Sequence, residues 1–400
     1  MKIVIFIVDG IGDRPNKEGL TPLKEAKTPT MDKLAEEGIN GLMYSIDVGI
    51  RPGSDTSHLS ILGYNPYKYY PGRGPLEALG VDIDLKDGDI AFRCNFATVD
   101  ENFIVKDRRA GRISEEEAKV LEKEIDGLEI DGVKIIFKSS KGYRGALVLR
   151  GENLGDKVTD GDPHKEGLKV PKIESLDEKS KKTAEVLNKL LKIVYEKLNN
   201  HPINIERVKK GLPPANIILP RGVGIYKEVP KFSERYNMKG LCVCETGLIK
   251  GLAKMVGLDV VECKVGDYDS IANEILEGLK KYDFILVNVK EADEASHDGN
   301  YSKKKEILEK IDKLLEKVIS NINKEEVYFV LTGDHSSPIE VKDHSADPVP
   351  IVIWGKSVRI DDVKEFNEFA CAKGSLHTIK GEHLMRILLD LTNRNEKFGA

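Results

Sequence analysis

The chain has 400 residues, 40% hydrophobic and 32% charged, the balance of a globular protein rather than a disordered or fibrous one. That length calls for two domains, or one large core carrying an insertion. With 62 Lys and Arg against 67 Asp and Glu, the net charge of −5 argues against a nucleic-acid binder working by bulk positive charge. The N-terminal apolar run is too short for a membrane span and has no cleavage site, so a soluble, cytoplasmic protein is expected. Five scattered cysteines without a CxxC read as buried small hydrophobes in a reducing compartment. The chain has no Gln and is rich in Lys, Glu and Ile, the composition of a protein that works hot.

In chain order, Ile3 to Val8 is apolar on both faces and predicts a central parallel strand ending at Asp9-Gly10. A helix follows from about Thr30, then a loop over 49–53, a short helix over 55–62 closed by Gly63, and an irregular stretch over 64–74. From about Gly80 to Pro230 the strands are short (90–96, 133–139, 145–149) and alternate with charged helices over 114–124 and 176–198. That pattern predicts an α+β domain with an antiparallel sheet. RGVG at 221–224 reads as a turn. After Pro230 strands at 240–244, 260–261, 284–289, 327–331 and 349–354 are separated by helices at 248–256, 270–280 and 303–322, and a last helix spans 381–391. The expected fold is therefore an α/β core built from 1–79 and 231–400, with a mostly parallel sheet covered by helices on both faces, and an inserted domain at 80–230. The basic runs at 179–182 and 303–305 read as solvated helix faces.

Three apolar strands lead into acidic or imidazole side chains: Asp9 after the first, Asp293 and His297 after 284–289, Asp334 and His335 after 327–331. His344 precedes the strand 349–354. In an open parallel sheet ligands collect at the carboxyl ends of strands, so these six residues can converge. Singly, each Asp reads as a helix cap and each His as a structural ring. Together, three carboxylates and three imidazoles without a thiolate suit two divalent ions. Ser54, after Gly53 at a helix start, lies among unpaired N–H groups that favour phosphate, and a nearby divalent ion would make its hydroxyl a nucleophile.

The motifs IVDG (7–10), GSDTSHL (53–59), DEASH (293–297), TGDHSSP (332–338) and HSADPVP (344–350) resemble the alkaline phosphatase superfamily. GSDTSHLSILGY with GRGPLEALG (72–80) is similar to its cofactor-independent phosphoglycerate mutases of the archaeal type. The resemblance covers nearly the whole chain in order. It implies an alkaline-phosphatase-like core and interconversion of 2- and 3-phosphoglycerate through phosphoserine at Ser54, without 2,3-bisphosphoglycerate. It implies one metal held by Asp293, His297 and His344, and another by Asp9, Ser54, Asp334 and His335. Mn²⁺ is expected first, with Zn²⁺, Co²⁺ or Mg²⁺ as alternatives. His58 stands where the family has a His after its nucleophile, among different neighbours, and is expected to face substrate; Lys250 resembles the family's phosphate-facing Lys.

A phosphoglycerate carries a phosphate and a carboxylate, so the insertion should supply cations. Arg109 and Arg112 lie in its densest basic cluster, and Arg144 and Arg221 are further candidates, since Arg grips both anions bidentately. Asp160, Asp162 and His164 in TDGDPH form a ligand-like set, read here as a loop or substrate-domain element rather than a metal site. No membrane or nucleic-acid partner is expected. The rival activities on such a core are a metal-dependent phosphatase, a phosphonate hydrolase or a phosphopentomutase.

Overall fold

The computed structural model describes residues 1–399. The strands are, in chain order, β1 (Lys2–Val8), β2 (Ile39–Tyr44), β3 (Ile90–Val99), β4 (Val105–Asp107), β5 (Glu129–Ile130), β6 (Val133–Ser139) and β7 (Arg144–Arg150). They continue with β8 (Ile217–Ile225), β9 (Gly240–Cys244), β10 (Asp259–Glu262), β11 (Phe284–Val289), β12 (Val327–Thr332), β13 (Val349–Trp354) and β14 (His377–Lys380). The chain divides into two compact units: residues 1–70 with 230–399, and residues 71–229. The sequence placed the first boundary nine residues later, because the helix Arg73–Gly80 falls partly in a Pro- and Gly-rich stretch read as irregular.

The first unit is α/β. Its eight-stranded sheet runs β10-β9-β11-β1-β12-β13-β2-β14. β1 lies between β11 and β12 and parallel to both, Ile5 facing Leu286 on one side and Val330 on the other. From Ile3 to Val8 every side chain is buried, as a central strand covered on both faces requires. β13 alone runs against its neighbours. Its start therefore lies at the edge where β1, β11 and β12 end, and this brings His344 to the side that carries Asp9 and Asp334. Helices cover the sheet. Tyr301–Ile319 buries Ile307, Leu308, Ile311, Leu314, Leu315 and Val318 at helical spacing.

Lys304, on the same helix, overturns part of the expectation for 303–305. Lys303 is solvated, but Lys304 is fully buried. The strands β2 and β14 were also not foreseen. β2 carries Asn40 and Gly41 in its interior, where Asn40 Nδ2 satisfies itself on Ala35 O and Asp361 (both 2.8 Å).

The second unit is α+β, with an antiparallel sheet in the order β4-β3-β7-β6-β5 and β8 paired to β3. The helix Lys181–Asn199 covers it with Val186, Leu187, Leu190, Leu191, Val194 and Leu198. RGVG belongs to β8 and is not a turn. Gly224 is needed for close approach, since a Cβ there would fall 1.9 Å from Pro71 O, and Gly222 for its positive φ of 61°.

Candidate active site

Ser54 opens the helix Ser54–Ile61 and is only 8% exposed. Its Oγ lies 3.2 Å from His335 Nε2. That nitrogen is 3.3 Å from Asp9 Oδ1 and 3.4 Å from Asp334 Oδ2. Asp9 and Asp334 are held by the backbone at the ends of β1 and β12, where Gly10 N donates to Asp334 Oδ1 (3.2 Å). Asp334 Oδ2 is buried with no hydrogen-bond partner among the described residues. A buried carboxylate oxygen that accepts no hydrogen bond calls for positive charge beside it, which His335 supplies only at 3.4 Å.

A second cluster adjoins the first. Asp293, in the helix Glu291–His297 after β11, has Oδ2 3.3 Å from His297 Nε2 and Oδ1 3.6 Å from His344 Nε2. The His335 and His344 rings stack with centroids 3.5 Å apart. Ligand atoms of Asp9, Asp334 and His335 lie within 4.8 Å of one another, as do those of Asp293, His335 and His344. The same spacing joins His297 and His344 to Asp343, which the sequence reading did not include.

The imidazoles are pre-aimed. His297 Nδ1 donates to Lys342 O (2.9 Å) and His344 Nδ1 to Pro52 O (2.8 Å). Carbonyls can only accept, so Nδ1 carries the proton and Nε2 turns its lone pair inward. Ser337 Oγ donates to Asp293 Oδ1 (2.6 Å), which leaves the serine oxygen to accept from His335 Nδ1 (3.1 Å). Outward Nδ1–H bonds of this kind orient metal-binding histidines. Burial opposes charge on His335, but Asp334, Asp9 and Asp293 outweigh it and push the ring up to about 9. The field that favours a proton on Nε2 favours a divalent cation there too. On donor chemistry, tautomers and the orphaned Asp334 oxygen, the residues present fit two divalent ions.

Besides Asp343, the sequence reading missed three members of this site. The Lys290 ammonium bridges the clusters, bonded to Asp293 and 3.3 Å from Asp9 Oδ1. Burial disfavours its charge, yet Asp9 and Asp293 hold its pKa above the usual lysine value. Asn288 Nδ2 reaches Asp9 Oδ2 (3.4 Å) and His58 Nε2 (3.3 Å). Ser337 is the third. A Lys, Asn or Ser beside a strand end is ordinarily capping or solvated, and only long-range register reveals these. His58 was expected against substrate. It is fully buried, and its Nδ1 donates to Ser54 O (2.6 Å), so both ring nitrogens serve the protein and hold the nucleophile's turn. Lys250 Nζ lies 3.4 Å from Glu262 Oε2.

The inserted unit has its own charged cluster. Asp162 is buried and takes Arg108 in a two-pronged pair (3.0 and 2.6 Å), with Arg221 Nε 3.5 Å away. Asp160 accepts from Gly222 N (3.1 Å) and contacts His164 Nε2 at 3.0 Å. TDGDPH thus organises arginines. Arg93, half-buried, feels Arg221, Arg73 and Arg144. Arg109, Arg112 and Arg144 are exposed, the first two on a 3₁₀ turn away from β8 in sequence.

The family model of the 2,3-bisphosphoglycerate-independent phosphoglycerate mutases matches residues 35–204. The chain is 75% identical to 2,3-bisphosphoglycerate-independent phosphoglycerate mutase 1 of Methanocaldococcus jannaschii, over 100% of this chain and 99% of that one. It is 62% identical to a Methanococcus maripaludis protein of the same description, over the full length of both. Among solved structures, a Pyrococcus horikoshii protein superposes with a TM-score of 0.87 at 40% identity, covering 100% of this chain and 99% of that one. The cofactor-independent phosphoglycerate mutase of Thermoplasma acidophilum gives 0.74 at 37% identity, covering 98% and 100%. Among the described residues no helix is long and apolar enough to cross a membrane. With these identities carried over its whole length, and with the clustered carboxylates, imidazoles and serine described above, the chain belongs to the 2,3-bisphosphoglycerate-independent phosphoglycerate mutases.

Proposed function

We propose that the chain interconverts 2-phosphoglycerate and 3-phosphoglycerate through a phosphoserine at Ser54. The observation that carries this reading is Ser54 Oγ at the first residue of a helix, 3.2 Å from His335 Nε2 and beside both ligand clusters. Asp9, Ser54, Asp334 and His335 would hold one divalent ion, and Asp293, His297 and His344 the other, Mn²⁺ first among the candidates. When bound, such ions stabilise charge on a transferring phosphoryl group and lower the pKa of a nearby hydroxyl.

The chain's own groups account for the rest. The free N–H groups at the start of Ser54–Ile61 favour a phosphate there. Ser54 Oγ forms the new bond to phosphorus as the bond from phosphorus to the glycerate oxygen breaks. The serine's proton ends on the departing glycerate, which becomes a diol acid. Return of the phosphoryl group to the other hydroxyl regenerates Ser54 and gives the isomer. His58 and Asn288 hold the serine's turn and Asp9 in place, and Lys290 draws Asp9 and Asp293 toward each other. In the inserted unit, Arg144 and Arg221, with Arg93 beside them, are proposed to grip the glycerate carboxylate. Arg109 and Arg112 would widen that basic surface, and Lys250 is retained as a phosphate-facing candidate in the core.

Incubating the protein with ³²P-phosphoglycerate and Mn²⁺, followed by acid quench and mass spectrometry, tests the reading. Label on Ser54, lost in Ser54→Ala together with turnover, is the expected result. Label on another residue, or isomerisation by Ser54→Ala, would overturn it.

A further inference from the structure

Lys304 lies in the first turn of the helix Tyr301–Ile319 and is fully buried, while the neighbouring Lys303 faces solvent. A buried ammonium is costly unless all its protons are met. Here they are, by Asp13 Oδ2 (2.9 Å), Ser337 O (3.0 Å) and Gly12 O (3.2 Å). These acceptors come from two loops. Gly12 and Asp13 follow β1, whose end carries Asp9. Ser337 follows β12, whose end carries Asp334 and His335.

The loops touch directly. Ser337 N donates to Gly12 O (3.0 Å), and a Cβ on Gly12 would fall 2.0 Å from Ser336 Oγ. Asp13 also accepts from Ile339 N (3.2 Å). Its own N–H donates to the half-buried Glu368 Oε1 (3.0 Å), whose Oε2 accepts from Thr21 Oγ1 (2.8 Å). The clamp reaches the third ligand-bearing element through Ser337, whose hydroxyl joins Asp293 to His335.

We propose that Lys304 is a positioning residue for the metal centre: its ammonium clamps the loop after β1 to the loop after β12 and so sets the spacing of Asp9, Asp334, His335 and, through Ser337, Asp293. The inference rests on reading those four as metal ligands; the clamp itself does not. A lysine that only filled the core could be replaced by an isostere without consequence for the ligands. A clamp could not.

The test uses Lys304→Met and the double variant Asp13→Asn with Lys304→Met, which removes both charges and so leaves neither orphaned. Both are compared with the wild type by thermal unfolding, Mn²⁺ titration calorimetry, kcat and KM, and amide hydrogen exchange. The expected result is a folded double variant with Mn²⁺ affinity lowered about 10–100-fold, the range for lost outer-shell support. kcat should fall at least about tenfold while KM moves less than about threefold. Amides in 9–14 and 334–340 should lose protection before any metal is added, which reports on the clamp even if the metal reading fails. Wild-type Mn²⁺ affinity and kcat in the double variant would overturn the proposal. So would unchanged protection of those loops. A double variant that does not fold also counts against it, since the lysine would then hold the fold and not the ligand loops.

Discussion

The two units gather like charge in opposite senses, buried in the core and partly exposed in the inserted unit. In the core, Asp9, Asp293 and Asp334 gather round His335, with the single ammonium of Lys290 among them. In the inserted unit, the guanidinium of Arg93 is pushed down to about 10 by burial and by Arg221, Arg73 and Arg144, against the pull of Glu77. Neither arrangement is what packing alone would select, because like charges held close together repel. On the function proposed above, the sign of each local excess is opposite to that of its ligand, cations for the core and anions for the inserted unit.

Asp293→Ala should break the core's side of this comparison most severely, because Ser337, Lys290, His297 and His344 all converge on that carboxylate. Bound Mn²⁺ should fall by at least one ion per chain by atomic emission. Turnover should drop about 10³-fold, the equivalent of several kcal/mol of transition-state charge stabilisation, with unfolding still cooperative. Full metal content and rate would remove the argument from excess carboxylate.

The inserted unit's side is tested by Arg221→Ala and Arg144→Ala. Each should lower kcat/KM about 10–100-fold, as for a lost charge-assisted bond of about 1.5–3 kcal/mol, and raise the share of turnovers ending in free phosphate. Arg109→Ala and Arg112→Ala, on an exposed turn, should lose less. Equal losses at all four would extend the anion site to that turn.

Ser337→Ala sharpens the core's side further. It removes the link between Asp293 and His335 without touching a charge, and Mn²⁺ affinity should weaken about 10–100-fold.

The smallest effect is on stability against pH, where the units should diverge. Burial pushes Glu245 in the core up to about 7, against backbone bonds from Lys290 and Gly266. Folded, it keeps its proton up to about pH 7; unfolded, it loses it near the model-compound value of 4.5. The folded state therefore binds the extra proton, and stability falls as pH rises through that window. Asp162 goes the other way. Burial opposes its charge, but Arg108 outweighs this and lowers its pKa, so its contribution is present above 3.8 and lost as pH falls below it. The melting temperature of Glu245→Gln relative to wild type should climb by a few degrees at most between pH 5 and 8. Asp162→Asn should cost least at the acid end of its range. A flat difference for both would remove this contrast.

Most of the central sheet was legible because β1, β9, β11, β12 and β13 are apolar runs buried along their length, whereas β2 is interrupted by Asn40 and Gly41. The metal-ligand candidates were legible because they follow those runs. β8 was not, since Pro220, Gly222 and Gly224 interrupt the pattern that pairing with β3 then tolerates. β14 is a four-residue edge strand with little pattern to read. Lys290 and Lys304 look like any solvated lysine along the chain. Only the register of β1 with β11 and β12 shows that their ammonium groups are surrounded by carboxylates and carbonyls.

That register also fixes an order in time. β1 is made first, yet Ile3 pairs with Phe284 and Lys2 with Val327. At roughly 5–20 residues per second, a ribosome needs about 15–60 s to reach the second of these neighbours. By then β3 to β8, which pair only among themselves, have all been synthesised. Asp9 waits through translation of the whole insertion for Asp334 and His335, and His344 follows later still. The ligand set is thus completed only after the whole insertion has been made, and a truncated chain that ends before β12 can hold a finished inserted sheet but no finished ligand set.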